Sequence, residues 1–181
     1  MKLMTEREFE KLLNTHEGMN LEFKSARTQF SRQKDLPNYC SALSNEGGGK
    51  LILGVSDSRK VVGTGAFKPN YNTLSNELLD NLGIRVDVEE LYYKDKRTLL
   101  FHVPEHYSGR PVKSNGAYWM RAGESLKHMD EHTLKRKLNE TEPDFTERPV
   151  PKLKVSDLDK TAINIFRELI SKKTDRKDYI A

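Results

Sequence analysis

The stretch His16-Glu17-Gly18-Met19-Asn20-Leu21-Glu22-Phe23-Lys24-Ser25 carries two carboxylates and a lysine around an alternating, strand-like core. Leu21 and Phe23 fall on one face of such a strand, Glu22 and Lys24 on the other. Further on, the run from Ser44 to Asp57 reads as a helix end, a triple glycine and a buried strand that finishes in an aspartate. If the two strands are neighbours, Glu17, Glu22, Lys24 and Asp57 can meet. Three carboxylates and a lysine make either a divalent-metal site or a polar surface. As a site, Glu17, Glu22 and Asp57 would give oxygen ligands to Mg²⁺ or Mn²⁺, bridging a scissile phosphate and activating a water. Lys24 would then neutralise the charge developing on the phosphate. As a surface, Glu22 and Lys24 are an exposed ion pair contributing about 0 to 1 kcal/mol. The residues alone favour the surface, since charges on an exposed face are ordinary.

Several elements must position these groups. Thr5 with Glu8 forms a capping-box pattern, and Phe9, Leu12 and Leu13 give a helical face over residues 5 to 14. Residues 20 to 27 read as a strand and 29 to 34 as a polar loop. Asp35-Leu36-Pro37 opens a second helix with Tyr39, Cys40 and Leu43 on its inner face. Gly47-Gly48-Gly49 ends it. Residues 50 to 55 read as a strand, with a short return strand at 61 to 63. Residues 72 to 82 read as a third helix. Residues 85 to 93 and 97 to 103 form a hairpin, 117 to 121 one more strand, and 130 to 138 a closing helix. The order implies an α+β (mixed α/β) domain, with a largely antiparallel sheet flanked by helices. Residues 141 to 157 are Pro-rich and read as a linker. A helix over 161 to 171 reads as the start of a further region.

Length and composition set the bounds. The 181 residues suffice for one domain with a core of its own. There is no run of apolar residues long enough for a transmembrane helix and no secretory leader, so a cytoplasmic protein with no membrane partner is expected. Cys40 is the only cysteine, which excludes an internal disulfide. The net charge is +4, which permits nucleic-acid binding without requiring it. Lys24, Arg27, Arg32, Lys34, Arg59 and Lys60 flank the two strands and could contact phosphates. Arg121 could contact a phosphate or form a structural salt bridge. The glycine run is better read as a helix stop than as a phosphate nest, and the five histidines as surface residues.

Glu17 to Lys24, Leu43 to Asp57, Val62-Gly63 and Tyr118 to Ser125, in that order, resemble the Schlafen AlbA-like domain over residues 5 to 140. The resemblance implies a domain that binds DNA or RNA, and that often stands before a winged-helix or ATPase-like region in transcriptional regulators or helicase-related proteins. Animal relatives are metal-dependent endoribonucleases with a three-carboxylate site. Glu17 and Glu22 match its first two members and Asp57 its third, with Ser56 standing where the animal pattern tends to carry an acid. Those relatives pair two lobes, so a single lobe would have to form a homodimer to do the same. The expected function is nucleic-acid binding through backbone contacts with no certain cofactor. The alternatives are a Mg²⁺- or Mn²⁺-dependent endoribonuclease and a protein-interaction module.

Overall fold

The computed structural model describes residues 4–15, 18, 20–123, 125–141, 154, 157 and 159–173. The chain divides into two units, Met1–Thr141 and Glu142–Ala181. The first unit contains helix α1 (Glu6–Leu13), strand β1 (Leu21–Lys24), helix α2 (Asp35–Asn45), strand β2 (Gly49–Leu53) and helix α3 (Leu74–Leu82). Strands β3 (Asp87–Tyr93), β4 (Lys96–Val103), β5 (Lys113–Ser114), β6 (Ala117–Ala122) and β7 (Ser125–His128) follow, then helix α4 (Glu131–Leu138). Of the second unit, helix α5 (Lys160–Lys173) is the main described part. Asp159 opens it, its carboxylate accepting from the backbone N–H groups of Thr161 and Ala162 at 2.7 and 3.1 Å. The stretch read as a linker lies mostly outside the described residues.

Two sheets organise the first unit. One has the order β1-β2-β4-β3, with β1 and β2 parallel and the other pairs antiparallel. The second has the order β5-β6-β7 and is antiparallel. This is an α+β fold. Strands β5 and β7 are not legible in the sequence, and the expected return strand at 61 to 63 is only a Val55–Val61 bridge. The β3–β4 hairpin turns on Lys94 and Asp95, both at positive φ (47° and 61°), as a two-residue turn between twisted strands requires.

Alternation splits the core across the first sheet. Leu21, Phe23, Ile52 and Leu100 face the side where Phe9 of α1 packs, together with Val55 and Tyr93. Leu51, Leu53, Leu99 and Phe101 face the opposite side, where Leu36, Cys40 and Leu43 of α2 and Leu74 and Leu78 of α3 pack. The Thr5–Glu8 capping box is formed, and Gly83 closes α3 in the left-handed conformation.

Helix α2 is covered on more than its apolar face. Asn38, Ser41, Ser44 and Asn45 are all buried, because the segment leading into the second sheet also packs on it. Asn45 is the main tie. Its amide nitrogen donates to the carbonyls of Val112 and Trp119, both at 3.0 Å, and its oxygen accepts from the Val112 N–H at 2.7 Å. Ser41 Oγ donates to the same Val112 carbonyl at 2.8 Å. The glycine run that ends the helix permits two close approaches. A Cβ on Gly48 would lie 2.7 Å from the backbone nitrogen of Glu105, and one on Gly49 only 2.4 Å from the Asn20 carbonyl oxygen. The run is therefore a helix stop with close backbone packing.

Truncating Asn45 to alanine strands the buried Val112 N–H and takes the Asn45 amide from the Trp119 carbonyl, while the Val112 carbonyl keeps Ser41; a buried group left unpaired costs about 1–3 kcal/mol. Asn45→Ala is expected to lower the urea midpoint markedly at unchanged m-value, measured by equilibrium denaturation.

Candidate functional site

Strand β1 is an edge strand of the first sheet, with β2 as its neighbour among the described strands. In the parallel register Glu22 lies opposite Leu51 and Lys24 opposite Leu53. Both polar side chains therefore share the face that α2 covers. The expectation that Glu22 lies on an exposed face does not hold: it is 1% exposed. The alternation is visible in the sequence, but not the second layer of structure that closes over its polar side.

That closure comes from β6. Arg121, itself buried, places its guanidinium beside Glu22, with Nη2 paired to Oε2. Its Nη1 donates to the Gly18 carbonyl and to the Leu21 carbonyl (3.2 Å), and Nη2 donates to the Gly123 carbonyl at 3.3 Å. One side chain thus pairs the acid of the edge strand and satisfies a carbonyl of that strand. Of the two roles open to Arg121 in the sequence, the structure displays the salt bridge. The backbone N–H of Arg121 donates to Glu46 Oε1 at 3.1 Å, tying β6 to the end of α2.

Lys24 closes the other side of the acid, its Nζ 2.6 Å from Glu22 Oε1. The ammonium also lies 5.2 Å from the centre of the Tyr39 ring. Burial opposes the lysine charge, but the Glu22 carboxylate and Tyr39 outweigh it and hold its pKa above the usual lysine range. Burial pushes the Tyr39 hydroxyl up against the opposing pull of Lys24. Burial likewise raises Glu46, with the Arg121 N–H and charge acting in the other direction. The cluster thus sets one buried carboxylate between two cations, with an aromatic ring beside the more accessible one. Sequence reasoning does not single out Tyr39 or Glu46 as site residues. Tyr39 reads as an inner-face residue of a helix, and Glu46 hides within the glycine motif.

The remaining expected site residues are scattered. Glu17 lies outside the described residues. Asp57 sits exposed in the turn after β2, where the Ser56 N–H donates to the Lys60 carbonyl at 3.0 Å. Arg32 is engaged by Glu77, with Nε and Nη2 each 2.6 Å from a carboxylate oxygen, which holds the Glu77 carboxyl below its usual range. Arg59 donates to the Thr15 carbonyl. Arg27, Lys34 and Lys60 are exposed, and their side chains form no ion pair among the described residues. Trp119 is half-buried, its Nε1 donating to the Ser114 carbonyl at 2.9 Å. His106 is a correction to the surface expectation. It is buried between the Ser44 carbonyl (3.0 Å from Nδ1) and Glu140 (2.8 Å from Nε2).

A divalent cation would need an oxygen donor set. Among the described residues no group of three His, Cys, Asp or Glu side chains gathers as metal ligands do. Of the two described members of the expected trio, Glu22 has both oxygens engaged by Lys24 and Arg121, and Asp57 is on a surface turn. These two do not fit a metal as they stand.

The model of the family described as Schlafen, AlbA_2 matches residues 17–130, which take in β1, the α2–β2 junction and β6. The chain belongs to the Schlafen AlbA_2 family. Among solved structures, the DIP2311 protein from Corynebacterium diphtheriae resembles it with a TM-score of 0.56 at 17% identity, over 94% of this chain and 34% of that one. That likeness shows the fold, and the chain spans about a third of that protein's length. The N-terminal domain of an ATP-dependent DNA helicase RecG-related protein from Nitrosomonas europaea matches at 20% identity with a TM-score of 0.36, over 67% of this chain and 94% of that one. No curated protein matches the chain. Among the described residues, no helix of this AlbA_2 chain is long and apolar enough to cross a membrane.

Removing the Glu22 charge leaves Lys24 and Arg121 facing each other without an anion. Glu22→Ala is expected to destabilise by about 3–5 kcal/mol, as for other broken buried pairs, measured by urea denaturation. The raised pKa of Lys24 means that its pairing is fully present below the unfolded lysine value of about 10.4 and is lost as pH rises through the higher folded value. Thermal melts taken across the alkaline range should show stability falling there, with a shallower fall in Lys24→Met.

Proposed function

We propose that this domain binds nucleic acid, DNA or RNA, mainly through backbone phosphates. The observation that carries the reading is the set of accessible cations at and after the edge strand, Lys24 and Arg27, with Lys34 just before α2. One carboxylate, Glu22, meets two cations at that strand, and the more accessible of them, Lys24, keeps its charge beside Tyr39. Arg27, exposed and without an ion pair among the described residues, follows Lys24 closely in the chain, and Lys34 immediately precedes α2. Cations without protein partners are suited to phosphate, and such contacts carry little base specificity. Membership of the Schlafen AlbA_2 family supports the same reading. In this view the domain serves a transcriptional regulator or a helicase-related protein inside the cell.

Binding is favoured over metal-dependent cleavage by the state of Glu22. A divalent cation at that carboxylate would have to displace Lys24 and Arg121, both within ion-pair distance. Both oxygens of Glu22 already serve to hold the edge strand.

Fluorescence anisotropy with labelled RNA and DNA across a salt series tests the proposal. Affinity should fall linearly with salt on a double-logarithmic plot. The double variant Arg27→Ala/Lys34→Ala should flatten that slope by about 1.4 on a single strand and about 1.8 on a duplex. No binding at low salt, or a slope unchanged in the variant, would sink the reading. Mn²⁺-dependent cutting of the probe, abolished by Glu17→Ala, would replace it with the endoribonuclease reading.

A further inference from the structure

We propose that a cavity beside Phe30 and Phe67 receives one unpaired base of a single strand, and favours a base that carries an exocyclic amino group. This rests on the nucleic-acid reading above and adds to it a strandedness and a base preference. The cavity measures about 600 Å³ and is lined by Thr28, Gln29, Phe30, Ser31, Asp35 and Phe67. Ligand sites commonly fall between about 300 and 1,000 Å³.

Its chemistry suits a nucleobase. Phe30 and Phe67 meet edge to face, with ring centres 6.3 Å apart. Each is backed by another ring. Phe30 stacks on Tyr39 at 5.9 Å, and Phe67 meets Phe101 of the core at 6.3 Å. The aromatic wall is therefore anchored, and the two phenylalanines stay partly open. Stacking on such rings is open to any base. Thr28, Gln29 and Ser31 add donors and acceptors around the wall. Asp35 adds an acceptor-only group, with one oxygen taken by the Ser31 N–H at 2.9 Å. A carboxylate there can accept from an amino group such as that of cytosine, and has nothing to accept from at the corresponding position of thymine.

Charge placement argues for a strand over an apolar protein segment. The lining stretch 28–31 lies between the exposed cations Arg27 and Lys34. A planar, half-polar occupant with anionic groups on both sides matches that arrangement. Tyr39 also links the wall to Lys24, since its ring contacts both Phe30 and the ammonium.

The walls are held in place before any ligand arrives. The Gly65 N–H donates to the Arg27 carbonyl at 2.8 Å, and Thr64 Oγ1 donates to the Ala26 carbonyl. The buried Arg97 donates to the carbonyls of Thr64 (3.1 Å) and Ala66 (2.9 Å). Phe67 in the wall holds a positive φ of 60°, and Ala26, just before the lining stretch, one of 37°. Left-handed backbone is unfavourable for residues that carry a Cβ, and strain of this kind collects at ligand clamps. A preformed cleft loses less conformational freedom on binding.

The test is anisotropy with three labelled probes of equal length: oligodeoxycytidine, oligothymidine and an abasic sugar-phosphate strand. On the native chain, oligodeoxycytidine should bind about five- to a hundredfold more tightly than the abasic strand. Phe30→Leu, which keeps the bulk and removes the ring, should bring oligodeoxycytidine to the abasic level and leave abasic binding unchanged. Asp35→Asn should narrow the gap between oligodeoxycytidine and oligothymidine. Equal binding of the cytidine and abasic probes overturns the base site while leaving phosphate binding standing. The same holds if a folded Phe30→Leu keeps the full cytidine preference. Should Phe30→Leu fail to fold, the cytidine-to-abasic ratio of the native chain decides alone. Loss of binding to all three probes overturns this site together with the reading on which it rests.

Discussion

A buried carboxylate on an edge strand is the constraint around which this domain is organised. Glu22 lies on the core-facing side of β1, and a charge there costs heavily unless it is paired and hydrogen-bonded. The chain meets that requirement from two directions. Lys24 comes from two positions along the same strand, and Arg121 from a different sheet. Arg121 also takes the Leu21 carbonyl, which β2 does not bond. The same contact that neutralises the acid therefore covers part of an exposed sheet edge, a place where unpaired backbone groups invite unwanted pairing.

The rest of the layout follows from bringing β6 to that edge. Helix α2 has to be buried on two sides, and it carries Asn38, Ser41 and Asn45 where a helix covered on one side would carry surface groups. Asn45 satisfies both groups of Val112 and so fixes the approach to the second sheet. Gly49 lets the start of β2 come against Asn20, which sets the parallel register that places Glu22 opposite Leu51. Small residues and side-chain amides thereby position a salt bridge.

Much of this is legible in the sequence where periodicity is local. The capping box at Thr5 and Glu8, helix α3 and the β3–β4 hairpin all rest on neighbours a few residues apart. The alternation of Leu21, Glu22, Phe23 and Lys24 reveals the strand and its two faces. It does not reveal that the polar face is covered, since the cover is Arg121, a hundred residues from Leu21. Strands β5 and β7 are two and four residues long and carry no pattern of their own; they exist because β6 lies between them. His106 reads like any surface histidine, and only the fold brings Ser44 and Glu140 to its two nitrogens. Local patterns thus reach the elements, while the site depends on contacts that no local pattern encodes.

A charge cluster that is structural can still define a binding surface. Pinning Lys24 against Glu22 reduces the freedom of its ammonium and keeps it charged beside Tyr39, so a phosphate would meet a fixed cation in place of a mobile one. Glu22 and Arg121 act as a pair. A double-mutant cycle with Glu22→Gln and Arg121→Met, followed by urea denaturation of the whole chain, measures that pairing directly. A coupling energy above about 1 kcal/mol is expected, as for contacting partners in a shared network. Additivity within about 0.5 kcal/mol, as found for independent sites, would contradict it.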